Sequence, residues 1–163
     1  MVEIKSAKLE DAREILELQK LAYTGEAALY NDFSIPPLRQ TLEEIQAEFA
    51  THTLLKATIN DVIIGSVRAR NTRSGCQIGR LIVHPDHQNQ GIGTLLMERI
   101  ENIVPASRYE LFTGHKSKRN LYLYKKLGYC EFRREKVSEK LSLVFLEKFT
   151  NPDQEFNSGV GRR

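Results

Sequence analysis

The stretch GRLIVHPDHQNQGIGTLLMERIE, Gly79 to Glu101, holds this chain most tightly to one kind of fold. It passes from an apolar triplet, Leu81-Ile82-Val83, through a polar turn to two glycines one residue apart. A stripe of Ile92, Leu95, Leu96, Ile100, Ile103 and Val104 follows and is closed by Pro105. Such a triplet suits a central strand covered on both faces, and the stripe repeats at the spacing of a half-buried helix. The first N–H groups of a helix lack intrahelical acceptors, and the dipole adds about half a positive charge there, so strand, turn and helix together make an anion site. Gly91 and Gly93 would let a ligand touch bare backbone; Gln88, Asn89 and Gln90 are polar without bringing negative charge. The same glycines also serve a tight connection with no ligand, and spacing alone leaves both readings open.

The rest of the chain fits around that unit. VEIKSA alternates as a short strand, and a helix follows in which Leu9, Ala12, Ile15, Leu16, Gln19 and Tyr23 share a face. TGEAALYNDFSIPPLRQ breaks the period at Gly25 and at Pro36-Pro37 and is expected as a loop; Thr41 then caps LEEIQAEF with Glu44 as its capping-box partner. From Thr53 the period drops to two, through TLLKATI, VIIGSVRAR and CQIGRLIVH, with turns at Asn60-Asp61 and Ser74-Gly75. These are three successive antiparallel strands. RYELFT is another strand, SKRNLYLYKKLGY a helix stopped by Gly128, and YCEFRREKV with KLSLVFLEKF a last strand pair.

A chain of 163 residues suits one domain, here 1–149, with 150–163 expected as a loosely held tail. The net charge of +3, from 24 basic and 21 acidic residues, is too balanced to argue for nucleic acid. Arg68, Arg70, Arg73 and Arg80 lie along strands without the aromatic platform of a single-strand binder. Cys76 and Cys130 stand alone, and His84 and His87 lack companions at ligand spacing, so no metal is expected. No apolar run approaches the roughly 18 residues of a membrane span, which leads to the expectation of a cytoplasmic protein, monomer or homodimer.

Two familiar phosphate loops fail letter by letter. A dinucleotide fingerprint needs glycine where Leu96 stands, and a Walker loop needs Gly-Lys-Ser/Thr where the chain reads Gly93-Thr94-Leu95. LIVHPDHQNQGIGTLLM, however, resembles the apolar strand, Val-x-Pro and Gln/Arg-x-x-Gly-x-Gly of the GNAT acyltransferases, and SKRNLYLYKKLGY resembles that family's second motif, a helix ending Tyr-x-x-Leu-Gly-Tyr/Phe. The resemblance implies an α/β fold with a mixed, mostly antiparallel sheet of about seven strands, four flanking helices and a splayed central strand. It also implies an acetyl-CoA (coenzyme A) cofactor.

Carried over by position, the resemblance gives the pyrophosphate to the backbone of Gln88, Asn89, Gln90, Gly91, Ile92, Gly93 and Thr94. The pantetheine arm would run along Ile82 and Val83, and the Leu81 amide would face the thioester oxygen. Tyr124 matches the tyrosine near the coenzyme sulfur and is the candidate general acid, although it shares a helical face with Leu121 and Leu127 and would serve equally as core filler. Many relatives have asparagine where Ser117 stands, and Asn120, on the same helical face, is the substitute. Lys116, Lys118 and Arg119 are candidates for the 3′-phosphate. Several relatives carry a glutamate where this chain has Gln77, which cannot take a proton. Glu26 is therefore the first candidate base, with Asp32 and a water chain as alternatives.

The function implied is acetyl transfer to a primary amine, on a small molecule or a protein N-terminus, by direct attack through a tetrahedral intermediate. Glu26, Tyr30, Asn31 and Asp32 are the acceptor-side candidates, since an ammonium group suits carboxylates and an aromatic wall. A non-catalytic acyl-CoA sensor would keep the turn without needing the acid. A plain interaction domain would bind no coenzyme.

Overall fold

The computed structural model describes residues 1–150; apart from Thr150, the expected tail lies outside the described residues. One seven-stranded sheet runs in the order β1-β2-β3-β4-β5-β7-β6. Its strands are β1 (Glu3–Ser6), β2 (Thr53–Ile59), β3 (Val62–Thr72), β4 (Gly75–Val83), β5 (Arg108–Gly114), β6 (Cys130–Lys136) and β7 (Ser142–Phe149). The helices are α1 (Ala12–Tyr30), α2 (Pro36–Arg39), α3 (Leu42–Glu48), α4 (Ile92–Ile103) and α5 (Lys118–Lys126), one more than the sequence suggested. The extra one is the single turn α2, started by Pro36-Pro37, whose fixed φ suits the first helical positions.

Local chemistry accounts for most boundaries. Asn60 and Asp61 take φ of 51° and 66°, the left-handed pair that a two-residue hairpin between β2 and β3 demands. Thr41 caps α3 reciprocally with Glu44: the Glu44 N–H donates to the Thr41 hydroxyl at 3.1 Å, and the Thr41 N–H to the Glu44 carboxylate at 2.9 Å. Gly128 ends α5 at φ 101°.

The sheet splits a core on either side. Leu96, Met97 and Ile100 of α4 and Tyr124 of α5 pack on one face with Ile64, Val67 and Ile78. Ile15 and Leu16 of α1 and Ile45 of α3 pack on the other with Ile82. Each buried aliphatic side chain contributes about 2 kcal/mol. The helix α4 lies so close to β3 that a Cβ on Gly65 would stand 3.1 Å from Leu96 Cδ1.

One discontinuity positions everything functional. Five of the six strand pairings are antiparallel ladders, but β4 and β5 run parallel and pair only at Cys76↔Tyr109 and Gln77↔Glu110. Beyond Gln77 the strand β4 continues to Val83 with an open edge. The sheet is therefore splayed at its centre.

Candidate active site

The turn after β4 leads straight into that opening. Gly91 is the N-cap of α4, at φ 83°, and the Leu95 N–H makes the first helical bond, to the Gly91 carbonyl at 3.1 Å. From Gln88 to Thr94 no backbone N–H has a protein acceptor among the described residues. Buried or half-buried N–H groups are almost always paired, so a consecutive run of free ones is a cradle for an anion. The two glycines act differently. A Cβ on Gly91 would meet nothing within 4 Å, so glycine answers the backbone angle there. A Cβ on Gly93 would press on Leu123 at 3.3 Å, so glycine there lets α4 approach α5.

The cradle opens on a cavity of about 690 Å³ bordered by α1, the end of β4, the turn and α5. Lys116, Lys118, Arg119 and Lys126 line it, against the single carboxylate of Glu26. A polyanion is the ligand such a field attracts. Arg119 donates to the side chain of Gln88, whose Nε2 donates to the Val83 carbonyl at 3.2 Å. Gln88 thus bridges the turn to both walls.

The open edge of β4 presents backbone groups to the cavity. The His84 N–H pairs with Ile64 on β3 at 2.8 Å, and amides alternate along a strand, so the Val83 N–H points into the gap. Leu81 shares the phase of Val83, both packing on the α4 side, so its amide faces the same gap. The Val83 carbonyl accepts from Gln88 Nε2. Tyr124 does not border the cavity: it is buried in the core, 5% exposed, with its ring 6.1 Å from that of Tyr129. Burial, with the nearby Tyr23 and Glu26, pushes the Tyr124 phenol well above the usual tyrosine range.

The acceptor-side candidates separate. The segment read as a loop from Thr24 onward is helix: α1 passes through Gly25 and ends at Tyr30, capped by Asn31 in the left-handed conformation. The helix-breaking cost of one glycine, about 1 kcal/mol, is outweighed by the anchoring of the last turn, where Ala27 and Tyr30 are buried. Glu26 is therefore a helical residue, and it lines the cavity. Its carboxylate accepts from the Ser117 hydroxyl. Ser117 Oγ also lies 2.9 Å from the Tyr30 hydroxyl, which accepts from the Lys116 N–H at 2.9 Å. Tyr30 is 4% exposed and serves as a strut rather than a cavity wall. Asn31 and Asp32 do not border the cavity; the Asn31 carbonyl accepts from Lys140, and the Asp32 carboxylate accepts from Ser34. Ser117 and Asn120 both line the cavity, Asn120 donating to Thr113 at 3.2 Å.

Comparison with known proteins decides the family. Residues 19–148 match the model of the acetyltransferase (GNAT) domain. This chain belongs to the GNAT family. It is 29% identical over 133 residues to YqkA of Bacillus subtilis (strain 168), a UPF0157 protein, and this match covers 81% of the chain but 38% of YqkA. It resembles YncA of Salmonella typhimurium, solved with its cofactor acetyl-CoA, at 20% identity and TM-score 0.72, covering 93% of this chain and 95% of that one. It also resembles the PaiA N-acetyltransferase of Thermoplasma acidophilum, solved with coenzyme A, at 19% identity and TM-score 0.68, covering 92% and 99%. These structural likenesses agree with the mixed, splayed sheet described above.

Within this GNAT domain the sequence left two features unseen. The Glu26–Ser117–Tyr30 chain joins residues some ninety positions apart, and nothing in local spacing announces it. Between Ser66↔Ile82 and Arg68↔Gly79 the strand β4 carries one more residue than β3, a bulge at Arg80-Leu81 with Arg80 at φ 50°. A charged residue after glycine in an apolar strand was its only trace. Among the described residues no helix is long and apolar enough to cross a membrane.

Proposed function

We propose that this GNAT domain transfers the acetyl group of acetyl-CoA to a primary amine. The run of unpaired amides from Gln88 to Thr94, opening on a cavity with four cations and one carboxylate, carries the proposal. These residues fit the coenzyme: the cradle suits its diphosphate, the cations of α5 its remaining charge, and the volume lies within the range of small-molecule sites. Bound acetyl-CoA would supply an activated thioester.

The protein's own groups do the rest. The free edge of β4 at Ile82 and Val83 offers backbone to the pantetheine arm, Gln88 yielding the Val83 carbonyl. The Leu81 N–H is held to receive negative charge on the acyl oxygen, a contribution of about 3 kcal/mol for such pre-aimed donors. Tyr124, kept protonated by its surroundings, holds the proton that a leaving thiolate requires. Glu26, which lines the cavity and accepts from Ser117, takes the proton of the incoming amine in this reading, directly or through Ser117. Gln77, at the last β4–β5 rung, supports a second reading, an acyl-CoA sensor without turnover.

Thiol release measured across a panel of amines, beside calorimetry with acetyl-CoA, tests both. Binding with turnover on any amine supports the transferase; binding with none on all supports the sensor; no binding at millimolar acetyl-CoA overturns both.

A further inference from the structure

Gly25 is a glycine without a backbone reason. It lies inside α1 in helical conformation, which any residue adopts, and glycine there weakens a helix relative to alanine. Packing does not demand it either, since a Cβ at position 25 would meet nothing within 4 Å. Close approach explains Gly65 and Gly93, and a left-handed angle explains Gly91, but neither applies here. What remains is the space itself.

That space belongs to the cavity. Residues four apart share one face of a helix, and Leu21, Gly25 and Leu29 all border the cavity. The missing side chain is thus a notch between two leucines, 48% and 46% exposed, which stand about 12 Å apart along the helix axis. Tyr122, 71% exposed, borders the same cavity from α5. Exposed apolar residues scattered singly call for no explanation, but three around one opening mark a surface that a ligand covers. Next to the notch stands Glu26, the only carboxylate lining the cavity among the described residues.

The coenzyme is assigned above to the unpaired amides, the open edge of β4 and the cations of α5, whereas the α1 wall carries no cation. A carboxylate repels phosphate and attracts an ammonium group. The α1 wall therefore suits a ligand with one positive charge and an uncharged apolar body. A second ammonium would find no second carboxylate there and would face the four cations instead.

We infer that the notch at Gly25 seats the apolar body of the amine acceptor with its nitrogen beside Glu26, so that the acceptors are primary amines on an alkyl or aryl body rather than polyamines. This rests on the acetyltransferase activity proposed above and adds the acceptor's class, with Gly25 as the residue that sets it.

The test uses the full chain with acetyl-CoA and a graded series of amines: ethylamine, propylamine, pentylamine and phenethylamine, with the diamine of matching length as the dicationic arm. Thiol release should show kcat/KM rising by up to roughly fourfold per methylene until the notch is filled, and pentylamine should exceed the diamine about tenfold or more. Gly25→Leu fills the notch and should cut the ratio of kcat/KM for pentylamine over ethylamine about tenfold, through KM, with acetyl-CoA affinity held within about twofold. Gly25→Ala should lower the same ratio to a smaller extent while raising Tm by about 2–4 °C, a gain in stability that no loss of fold can imitate. A flat series, a diamine used as well as pentylamine, or a ratio that survives both substitutions overturns the inference and leaves the transferase intact. Weakened acetyl-CoA binding in Gly25→Ala would give the notch to the coenzyme and overturn it as well. A second measurement needs no turnover: titration of the coenzyme-A-loaded protein with the N-acetyl derivatives of pentylamine and of ethylamine. Tighter binding of the longer one supports the inference and equal affinities overturn it, whereas failure of coenzyme A itself to bind overturns the transferase reading and this inference with it.

Discussion

Gly91 separates a backbone cradle from a side-chain site. Its φ of 83° lies in the left-handed region, and a Cβ added there would meet no atom within 4 Å. Substitution therefore removes no packing and creates no clash; it acts only through the backbone. Alanine in that region costs about 1–2 kcal/mol, asparagine distinctly less because it tolerates the conformation, and a β-branched residue more. If the turn holds its shape, the cost falls on stability, about 2–4 °C of Tm per kcal/mol for a domain of this size. If the turn relaxes, the amides from Gln88 to Thr94 stop converging, and each charge-assisted bond lost is worth about 1.5–3 kcal/mol of affinity, roughly ten- to a hundredfold. The series Gly91→Asn, Gly91→Ala and Gly91→Val should therefore weaken acetyl-CoA binding, or lower Tm, in that order. Calorimetry and thermal melts on the same samples read both. Four proteins with equal affinity and equal Tm would refute the cradle, since a site built from side chains would not register the angle at residue 91.

Other perturbations probe the neighbouring parts. Tyr124→Phe should lower turnover by on the order of a hundredfold with acetyl-CoA binding retained; unchanged turnover in steady-state assays would remove the phenol from the chemistry. Gly114→Ala would place a Cβ 2.0 Å from the Tyr30 hydroxyl, so the last turn of α1 must shift and carry Glu26 with it; activity should fall far more than in Ser117→Ala, which only breaks the hydrogen-bonded chain. For Asp11, burial pushes the carboxyl upward, but the Lys8 N–H and the Lys56 ammonium, 2.9 Å away, outweigh it and hold the pKa below the ordinary 3.8. A depressed folded-state pKa gives stability that is present above the unfolded value and lost as pH falls through the folded one. Wild type should therefore lose Tm more steeply than Asp11→Asn below about pH 4, and parallel melting curves would contradict this.

Much of the architecture was legible because local chemistry and tertiary demand agree in it. Asn60-Asp61 both specify and occupy a tight hairpin, Thr41 and Glu44 both suggest and make a capping box, and the apolar run at Leu81 belongs to a central strand. The turn from Gln88 to Thr94 was legible too, since orphan amides follow from the strand-turn-helix pattern itself. Where long-range contacts overrode local preference, the pattern misled. Gly25 reads as a helix stop, but Tyr30, anchored by Ser117 and Lys116, keeps α1 wound past it, so Glu26 sits on a rigid helix instead of a loop. Asn31 and Asp32 stand close to Glu26 in the sequence, but the helix end turns them away from the cavity. The bulge at Arg80 depends on registry with β3, which no one-strand pattern contains.

The backbone amides of the turn can be watched individually. In a nitrogen-15-labelled sample titrated with coenzyme A, the N–H signals of Gln88 through Thr94 should move together and their hydrogen exchange should slow, because groups now open to water would acquire phosphate acceptors. Binding that leaves those signals in place while others respond would show that the nucleotide is held somewhere else.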